Sequence, residues 1–335
     1  MTALLMQQAG YDCIGVNMKL QANSSSDATM AARICEQLGI PFYEYDLATR
    51  FKSRVVEPFV RGYVAGETPN PCIMCNRHMK FASLLEIADE LGCEYLATGH
   101  YARVEYDQIQ DRWFARTAAD ASKDQSYVLY TLKQEQLSRV VLPLGTYCKT
   151  DIRKMAAVAG LPNADQSDSQ DICFIPGDDY ATFIEDYQGV SSTPGDMLDR
   201  DGAVVGQHKG LIHYTIGQRK GLGAHGRPVF VRSIDACSNT LTIDDDPSNL
   251  LIQDFIVRDV NWLMKPPAET IAIPCTIKIG YNHLPKAGVV FFTAPDEKIA
   301  VNFEQAQRAI TPGQAAVFYD GDTVIGGGTI DRISL

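Results

Sequence analysis

Met79-Lys80-Phe81-Ala82-Ser83-Leu84-Leu85-Glu86-Ile87-Ala88-Asp89-Glu90-Leu91-Gly92-Cys93-Glu94-Tyr95-Leu96-Ala97-Thr98-Gly99-His100 reads as a helix followed by a strand. Between Met79 and Leu91, the apolar residues Phe81, Leu84, Leu85, Ile87, Ala88 and Leu91 recur at the period of one helix face. Gly92 stops the helix, and Glu94 to Thr98 forms a strand ending in Gly99-His100. The same alternation runs upstream. Thr2 to Gln8 reads as a helix ended by Gly10, and Cys13 to Met18 as an apolar strand. Asp27 is placed to cap a helix from Ala28 to Leu38, closed by Gly39, and Pro41 to Tyr45 follows as a strand. Helices and strands in alternation predict a parallel α/β sheet with ligands at the carboxyl ends of its strands. Met18 and Gly99 stand at two such ends.

Downstream, Thr150 is placed to cap one more helix, Asp151 to Ala159, closed by Gly160. Beyond about Cys173 the texture changes. Short apolar runs alternate with the turn pairs Pro194-Gly195, Asp201-Gly202, Ser238-Asn239, Pro312-Gly313 and Asp320-Gly321, which predicts an all-β region. We divide it into a small central domain, residues 174–246, and a C-terminal β-barrel, residues 247–335. No internal repeat or low-complexity tract interrupts the chain.

The 335 residues are too many for one ordinary core, which fits two or three domains. A hydrophobic share of 45% and a charged share of 21% are those of a soluble globular protein. No apolar run approaches the ~20 residues of a membrane helix. The first residues lack the pattern of a secretory signal. These features predict a cytoplasmic protein without a membrane partner. Nine cysteines at irregular spacing suit a reducing compartment with most thiols free and buried. Cys13, Cys35, Cys237 and Cys275 read as core.

The net charge of −11 argues against indiscriminate binding of polyanions. One stretch departs from that balance. From Ala203 to Ile234 there is no Asp or Glu, while Lys209, Arg219, Lys220, Arg227 and Arg232 are basic, with His208, His213 and His225 among them. The stretch reads either as a selective anion surface or as a solvated face.

Two short motifs carry the chemistry. One is Thr68-Pro69-Asn70-Pro71-Cys72-Ile73-Met74-Cys75-Asn76, and the other Asp168-Ser169-Gln170-Asp171-Ile172-Cys173-Phe174. Pro69 and Pro71 stiffen the approach to a helix that Asn76 precedes. A thiol near a helix N-terminus, beside Arg77, His78 and Lys80, is expected to have a lowered pKa and more thiolate. Half of a zinc site and a purely structural pair are the alternatives, and zinc would need a second pair of thiols or histidines. Cys173, flanked by Asp168, Asp171 and Asp178, suits a carrier thiol in a polar loop; buried packing is its alternative. Gly99-His100-Tyr101-Ala102-Arg103 follows a strand end, where glycine lets backbone approach a ligand. Lys123-Asp124-Gln125-Ser126-Tyr127 offers groups that grip a phosphate or base edge, or cap a helix.

The motifs T-P-N-P-x-x-x-C-N, A-T-G-H-Y-A-R, K-D-Q-S-Y, D-S-x-x-I-C-F and Y-T-I-G-Q-R-K-G-L-G closely resemble those of the bacterial-type tRNA-specific 2-thiouridylases, from about residue 5 to the C-terminus. The resemblance implies an N-terminal ATP-pyrophosphatase α/β domain, related to adenine nucleotide alpha hydrolases. Here it would span residues 1–173 without its first strand and phosphate loop. A central domain and a C-terminal β-barrel would follow.

The implied reaction uses ATP, with Mg2+, to adenylate O2 of a wobble uridine in tRNA. A persulfide then displaces AMP to leave 2-thiouridine. The implied partners are tRNA and a sulfur-relay or cysteine desulfurase donor; no tightly bound metal is implied. Cys173 matches the persulfide carrier, and Cys75 the residue that releases sulfur by forming a Cys75–Cys173 disulfide. Asn70, Pro71 and Cys72 match the segment that meets the target base. Met18 and Gly99 match ATP contacts. His100, Lys123, Asp124, Gln125, Gly280, Tyr281 and Gln314 match positions that contact tRNA.

The chemistry agrees with the resemblance. Adenylation turns a poor leaving oxygen into a good one, a persulfide is a strong nucleophile, and its release needs a second thiol. The base must also leave the anticodon stack.

Three departures are visible. Cys72 stands where the family usually has Asp, and Gly280 where it usually has arginine. The family begins with a strand and S-G-G-x-D-S, which Met1 follows. That last departure leads to the expectation that this chain binds tRNA without adenylating it. Two other readings are a non-catalytic tRNA-binding remnant and a thiol-disulfide or zinc protein.

Overall fold

The computed structural model describes residues 1–331 except 22–24, 163–171, 176, 178, 266–270 and 293–297. A helix at Thr2–Gln8 leads to strand β1, Gly15–Lys19. The helix Ser25–Leu38 then carries the chain back to β2, Phe42–Asp46. β1 and β2 pair in parallel, from Gly15 opposite Phe42 to Lys19 opposite Asp46. The helix between them begins at Ser25, ahead of the expected cap Asp27.

Two long helical runs follow. The first covers residues 48–64, with a widened π-helical turn at Lys52–Val56. The second covers residues 71–90, with a π-helical stretch at Asn76–Ser83 between Pro71–Cys75 and Leu84–Glu90. The expected helix from Met79 is therefore the later part of a longer one. Asn70 starts it, because its side chain accepts the Cys72 N–H at 3.0 Å. Pro71 suits the first turn, where an N–H would have no partner.

The strand expected at Glu94 to Thr98 is shorter. β3 is Leu96–Ala97, and it pairs in parallel with β6, Val140–Val141. Between them, β4, Arg103–Asp107, and β5, Arg112–Arg116, form an antiparallel hairpin. The next helix is Lys149–Val158, with Cys148 rather than Thr150 at its cap position. Asp120, from a distant turn, accepts the Lys149 N–H at 3.0 Å, so the cap comes from tertiary structure.

The region after Cys173 is not wholly β. It opens with a helix, Tyr180–Gln188, capped by the Asp179 side chain and closed by Gly189 in the left-handed conformation. Then β7, Gly195–Leu198, β8, Val204–His208, β9, Phe230–Asp235, and β10, Thr240–Asp244, make a four-stranded sheet in the order β8-β7-β10-β9. Met197, Leu211, Tyr214, Val231 and Leu241 pack as its core.

The last strands are β11, Leu251–Trp262, β12, Ile271–Lys278, β13, Lys286–Phe292, β14, Lys298–Arg308, β15, Ala315–Asp320, and β16, Thr323–Ile330. They run in the order β11-β14-β13-β12-β15-β16, and β16 pairs back onto β11, which closes a six-stranded barrel. Phe255, Val257, Val290, Val301, Phe303 and Phe318 fill it.

The N-terminal domain is not a separate body beside this barrel. Its β4-β5 hairpin extends the barrel sheet through Arg116 opposite Thr323. Phe81, Phe114, Tyr127 and Leu129 share one apolar core with Val317, Tyr319 and Val324. The Tyr127 hydroxyl donates to the Ala315 carbonyl at 2.8 Å, fixing this buried contact. Glu67 adds a bidentate ion pair to Arg258, both bonds at 2.9 Å.

Candidate functional site

The two cysteine motifs meet. Cys72 and Cys75 lie in the first turn of the 71–90 helix and not ahead of it. Cys75 is buried in the cluster of Phe51, Val55, Phe59 and Met79, which also contains Phe174 and Ile175 immediately after Cys173. Phe174 packs edge-on against both Phe51 and Phe59, each at 5.5 Å between ring centres. These aromatic contacts tie Phe174 to the 48–64 helical run, which shares this cluster with the C-x-x-C helix. Cys75 interacts electrostatically with both Cys173 and Cys72, and Cys173 with Cys72; Lys80 acts on all three. All nine cysteines are free thiols.

The expected lowering of the thiol pKa is not found. Burial pushes Cys75 up to about 12, and the opposing pull of the Lys80 ammonium is weaker. Surrounding protein raises Cys72 and Cys173 as well, although both side chains reach the surface. His78 adds no charge to help, since burial, followed by the neighbouring arginines, lowers its pKa. Low dielectric penalises a thiolate more than one cation at this distance favours it. Of the four cysteines expected in the core, Cys35 is buried and Cys13 and Cys275 are half-buried. Cys237 is exposed, because it lies in the turn after β9 where Asp235 holds its N–H at 2.8 Å. Asp168, Asp171 and Asp178, expected beside Cys173, lie outside the described residues.

Met18 is the fourth residue of β1 and is half-buried against the same cluster as Cys75. Gly99 follows β3, and a side chain there would meet Thr2 Oγ1 at 3.5 Å and Leu144 at 3.7 Å. Each therefore lies at or just past the carboxyl end of its parallel pair, where a nucleotide is expected in such sheets. Asn70 and Pro71 line a cavity of about 310 Å³ between the 71–90 helix and the barrel. Arg77 and Thr131 also line it, and Thr131 Oγ1 is buried without a partner among the described residues.

The remaining expected contact residues divide. His100 is 5% exposed, its ring tilted against that of Phe81 at 5.4 Å between centres, and its Nδ1 is 2.8 Å from Thr98 Oγ1. Burial lowers its pKa to about 3, so the ring is neutral. Asp124 accepts the N–H groups of Ala118 and Ser126 and the Ser126 hydroxyl. Gln125 exchanges hydrogen bonds with the Tyr101 backbone, both at 2.8 Å. In this conformation His100, Asp124 and Gln125 hydrogen-bond within and between their own loops. Lys123 sits in the turn just before them.

Tyr281 is exposed, and the Lys278 ammonium lies 5.6 Å from its ring centre. Gly280 and Gln314 line a cavity of about 420 Å³ where the three domains meet. Gln314 closes one side of it by donating to the Thr68 carbonyl at 2.6 Å.

The basic stretch sorts itself in the same way. His208 is buried, bonded through Nε2 to the Asn239 carbonyl at 3.0 Å, and His225 Nε2 bonds the Leu222 carbonyl at 2.7 Å. His213 meets Ser192 Oγ at 3.1 Å. Arg227 pairs with Asp245 at 2.6 Å, and Arg232 faces Asp244 at 3.7 Å. Lys209, Arg219 and Lys220 are exposed, and none has an ion pair among the described residues. Sequence alone did not single out Arg308 or His283, which line the three-domain cavity. Their only signal was a place near Gly280 and Gln314, set by barrel folding.

Comparison with known proteins agrees with this architecture. A family model described as a tRNA methyl transferase HUP domain matches residues 1–177. One described as a tRNA methyl transferase PRC-barrel domain matches residues 181–245, and one described as an aminomethyltransferase beta-barrel domain matches residues 252–330. The tRNA-specific 2-thiouridylase MnmA of Lachnoclostridium phytofermentans is 42% identical over 342 residues, covering 98% of this chain and 95% of the relative. That of Trichlorobacter lovleyi is 44% identical over 336 residues, covering 98% and 93%. That of Clostridioides difficile is 40% identical over 344 residues, covering 98% and 94%.

Proposed function

The chain belongs to the tRNA-specific 2-thiouridylase family, and from that premise we propose that it replaces the C2 oxygen of a tRNA wobble uridine with sulfur. The observation that carries this reading is the meeting of Cys72, Cys75 and Cys173 beside Lys80. The matched domain models speak of methyl transfer. A methyl transferase has no need of a carrier thiol and a second thiol to release it, whereas thiolation needs both.

In this proposal, which departs from the expectation of tRNA binding without adenylation, ATP is a substrate that activates the uridine oxygen as a leaving group, with Mg2+ on its phosphates. Met18 and Gly99, at the strand ends, border the adenosine. Asn70 and Pro71 position the uracil in the adjoining cavity. Cys173 carries the terminal sulfur, delivered by a donor protein to its exposed thiol. That sulfur attacks C2, and AMP departs with the oxygen. The Cys75 thiolate then attacks Cys173 Sγ. A Cys75–Cys173 disulfide forms, the bond between Cys173 and the transferred sulfur breaks, and that sulfur stays on C2 as the thiocarbonyl. An external dithiol reduces the disulfide.

Burial keeps Cys75 protonated until this last step, which protects it from premature oxidation. The test is 2-thiouridine in tRNA from cells lacking the endogenous enzyme and expressing this chain. Restored 2-thiouridine that Cys173→Ser abolishes is the expected result. Equal 2-thiouridine with Cys173→Ser would overturn the carrier assignment.

A further inference from the structure

The cavity of about 310 Å³ beside Asn70 and Pro71 is walled by the helical runs 48–64 and 71–90 and, across from them, by barrel residues such as Arg258 and Thr329. Most of its polar side chains already have partners. Glu67 and Arg258 satisfy each other through two bonds at 2.9 Å. Asn70 Oδ1 accepts the Cys72 N–H, and the Tyr130 hydroxyl bonds to Thr329. Thr131 differs. It is 8% exposed, and its Oγ1 is the only buried side-chain polar atom of this lining without a partner among the described residues. Buried polar atoms in folded proteins nearly always find a partner, so an orphaned hydroxyl facing a cavity calls for one.

The second observation is how firmly Thr131 is held. Asn261 of β11 donates from Nδ2 to the carbonyls on either side of it, Tyr130 at 2.6 Å and Leu132 at 3.0 Å. The side chains of Tyr130 and Leu132 are buried in the core shared with the barrel. With its backbone clamped on both sides, Thr131 does not carry its hydroxyl out to water. The group is fixed in place before any ligand arrives, which is what a base-reading contact requires.

We propose that Thr131 reads the target uracil, its hydroxyl donating a hydrogen bond to O4, so that O2, the other exocyclic oxygen, is left for activation. The inference rests on the reading that a tRNA uridine enters this cavity. A threonine hydroxyl can donate or accept, and the same edge of uracil also offers N3–H. The chemistry selects O4. Attaching AMP to O2 turns the bond between C2 and N3 into a double bond and removes the N3 proton, so a contact to N3–H is lost at the first step. A bond to O4 lasts through both adenylation and sulfur attack.

The test compares the full chain with Thr131→Val, which keeps the shape and removes the hydroxyl, and with Thr131→Ser, which keeps the hydroxyl. Three quantities are read: stability in urea, affinity for a tRNA transcript, and the rate of 2-thiouridine formation. The reaction contains ATP, Mg2+, and a cysteine desulfurase with cysteine as the sulfur source. Thr131→Val should be at least as stable as the wild type, because it deletes an unpaired buried hydroxyl. Its tRNA affinity should be unchanged, since phosphate contacts dominate that. Its kcat/KM should fall about tenfold, the scale of one lost hydrogen bond, and Thr131→Ser should restore most of it. A transcript with 4-thiouridine at the wobble position, whose sulfur is a poorer acceptor, should slow the wild type similarly and cost Thr131→Val nothing further. A full rate in Thr131→Val, with an active wild type, would overturn this inference alone. So would a loss of stability, which would give the hydroxyl a structural partner, or equal losses from the mutation on both transcripts, which would place its contact away from O4. No 2-thiouridine from the wild type would overturn the proposed function with it.

Discussion

At Cys75 two forces act on one sulfur. The Lys80 ammonium favours thiolate, while the packing of Phe59, Met79 and Phe174 around the side chain removes the water that would solvate it. Burial wins, and with a pKa of about 12 only about one Cys75 thiol in ten thousand is ionised at pH 8. Iodoacetamide at that pH should therefore modify Cys72 and Cys173 well before Cys75, as read by peptide mass mapping over time. Cys75 labelling as fast as Cys173 would show that the native cluster opens readily. His100 is a second case. Its pKa falls from 6.5 unfolded to about 3 folded, so the unfolded chain takes up a proton that the folded chain refuses. Stability from this group is thus present above the unfolded pKa and falls on acidification, by about 1.4 kcal/mol per pH unit at most, from near pH 6.5 towards 3. Replacing His100 by Gln should flatten that part of the curve in chemical denaturation at pH 6.5 and 4.5. An unchanged curve would mean that other groups set the acid limb.

At the scale of elements, the helix at 71–90 does two jobs. Its first turn presents Cys72 and Cys75 on one side, and Asn70, Pro71, Ile73, Met74 and Arg77 line the 310 Å³ cavity beside them. The Asn70 cap holds both in place by fixing where the helix starts. Asn70→Ala should cost about 1 kcal/mol of stability, the usual value of an N-cap, and should also speed alkylation of Cys75 through fraying of the first turn. Urea denaturation read beside the labelling rate checks this, and faster labelling without any loss of stability would point to a local change only. The π-helical stretch Asn76–Ser83 follows directly. It rotates the rest of the helix so that Met79 packs with Cys75 while Phe81 reaches the core shared with the barrel.

For the whole molecule, the consequence of the shared core is a fixed frame. The hairpin of the N-terminal domain extends the barrel sheet, and Arg103 and Arg116 both bind Asp322 of the barrel. The central domain then carries Lys209, Arg219 and Lys220 on its surface as uncompensated cations. On a chain of net charge −11 these three form the open part of a stretch otherwise absorbed by internal pairing. Replacing Arg219 and Lys220 together by Ala should weaken cognate and non-cognate tRNA alike and reduce the salt slope by about two. Filter binding at several salt concentrations measures it. Unchanged affinity at low salt would make the segment a solvated face.

Local pattern fixed much of this protein. The apolar periods and glycine stops placed most of the helices, turn pairs announced the β regions, and five motifs in order carried the family. What the chain could not announce locally depended on distant partners. Asp120 caps the helix at Lys149, and β3 is held to Leu96–Ala97 by its parallel pairing with Val140–Val141. Thiol acidity was misread from sequence because neighbouring cations are visible there and burial is not: desolvation comes from Phe51 and Phe59 of the 48–64 helical run and from Phe174, far along the chain. The cavity of Arg308 and His283 exists only where barrel strands meet a loop of each other domain. Sequence sets which side chains are present and their local periodicity; tertiary structure alone decides which charges find partners and which groups lose their water, because both depend on distances between residues far apart in the chain.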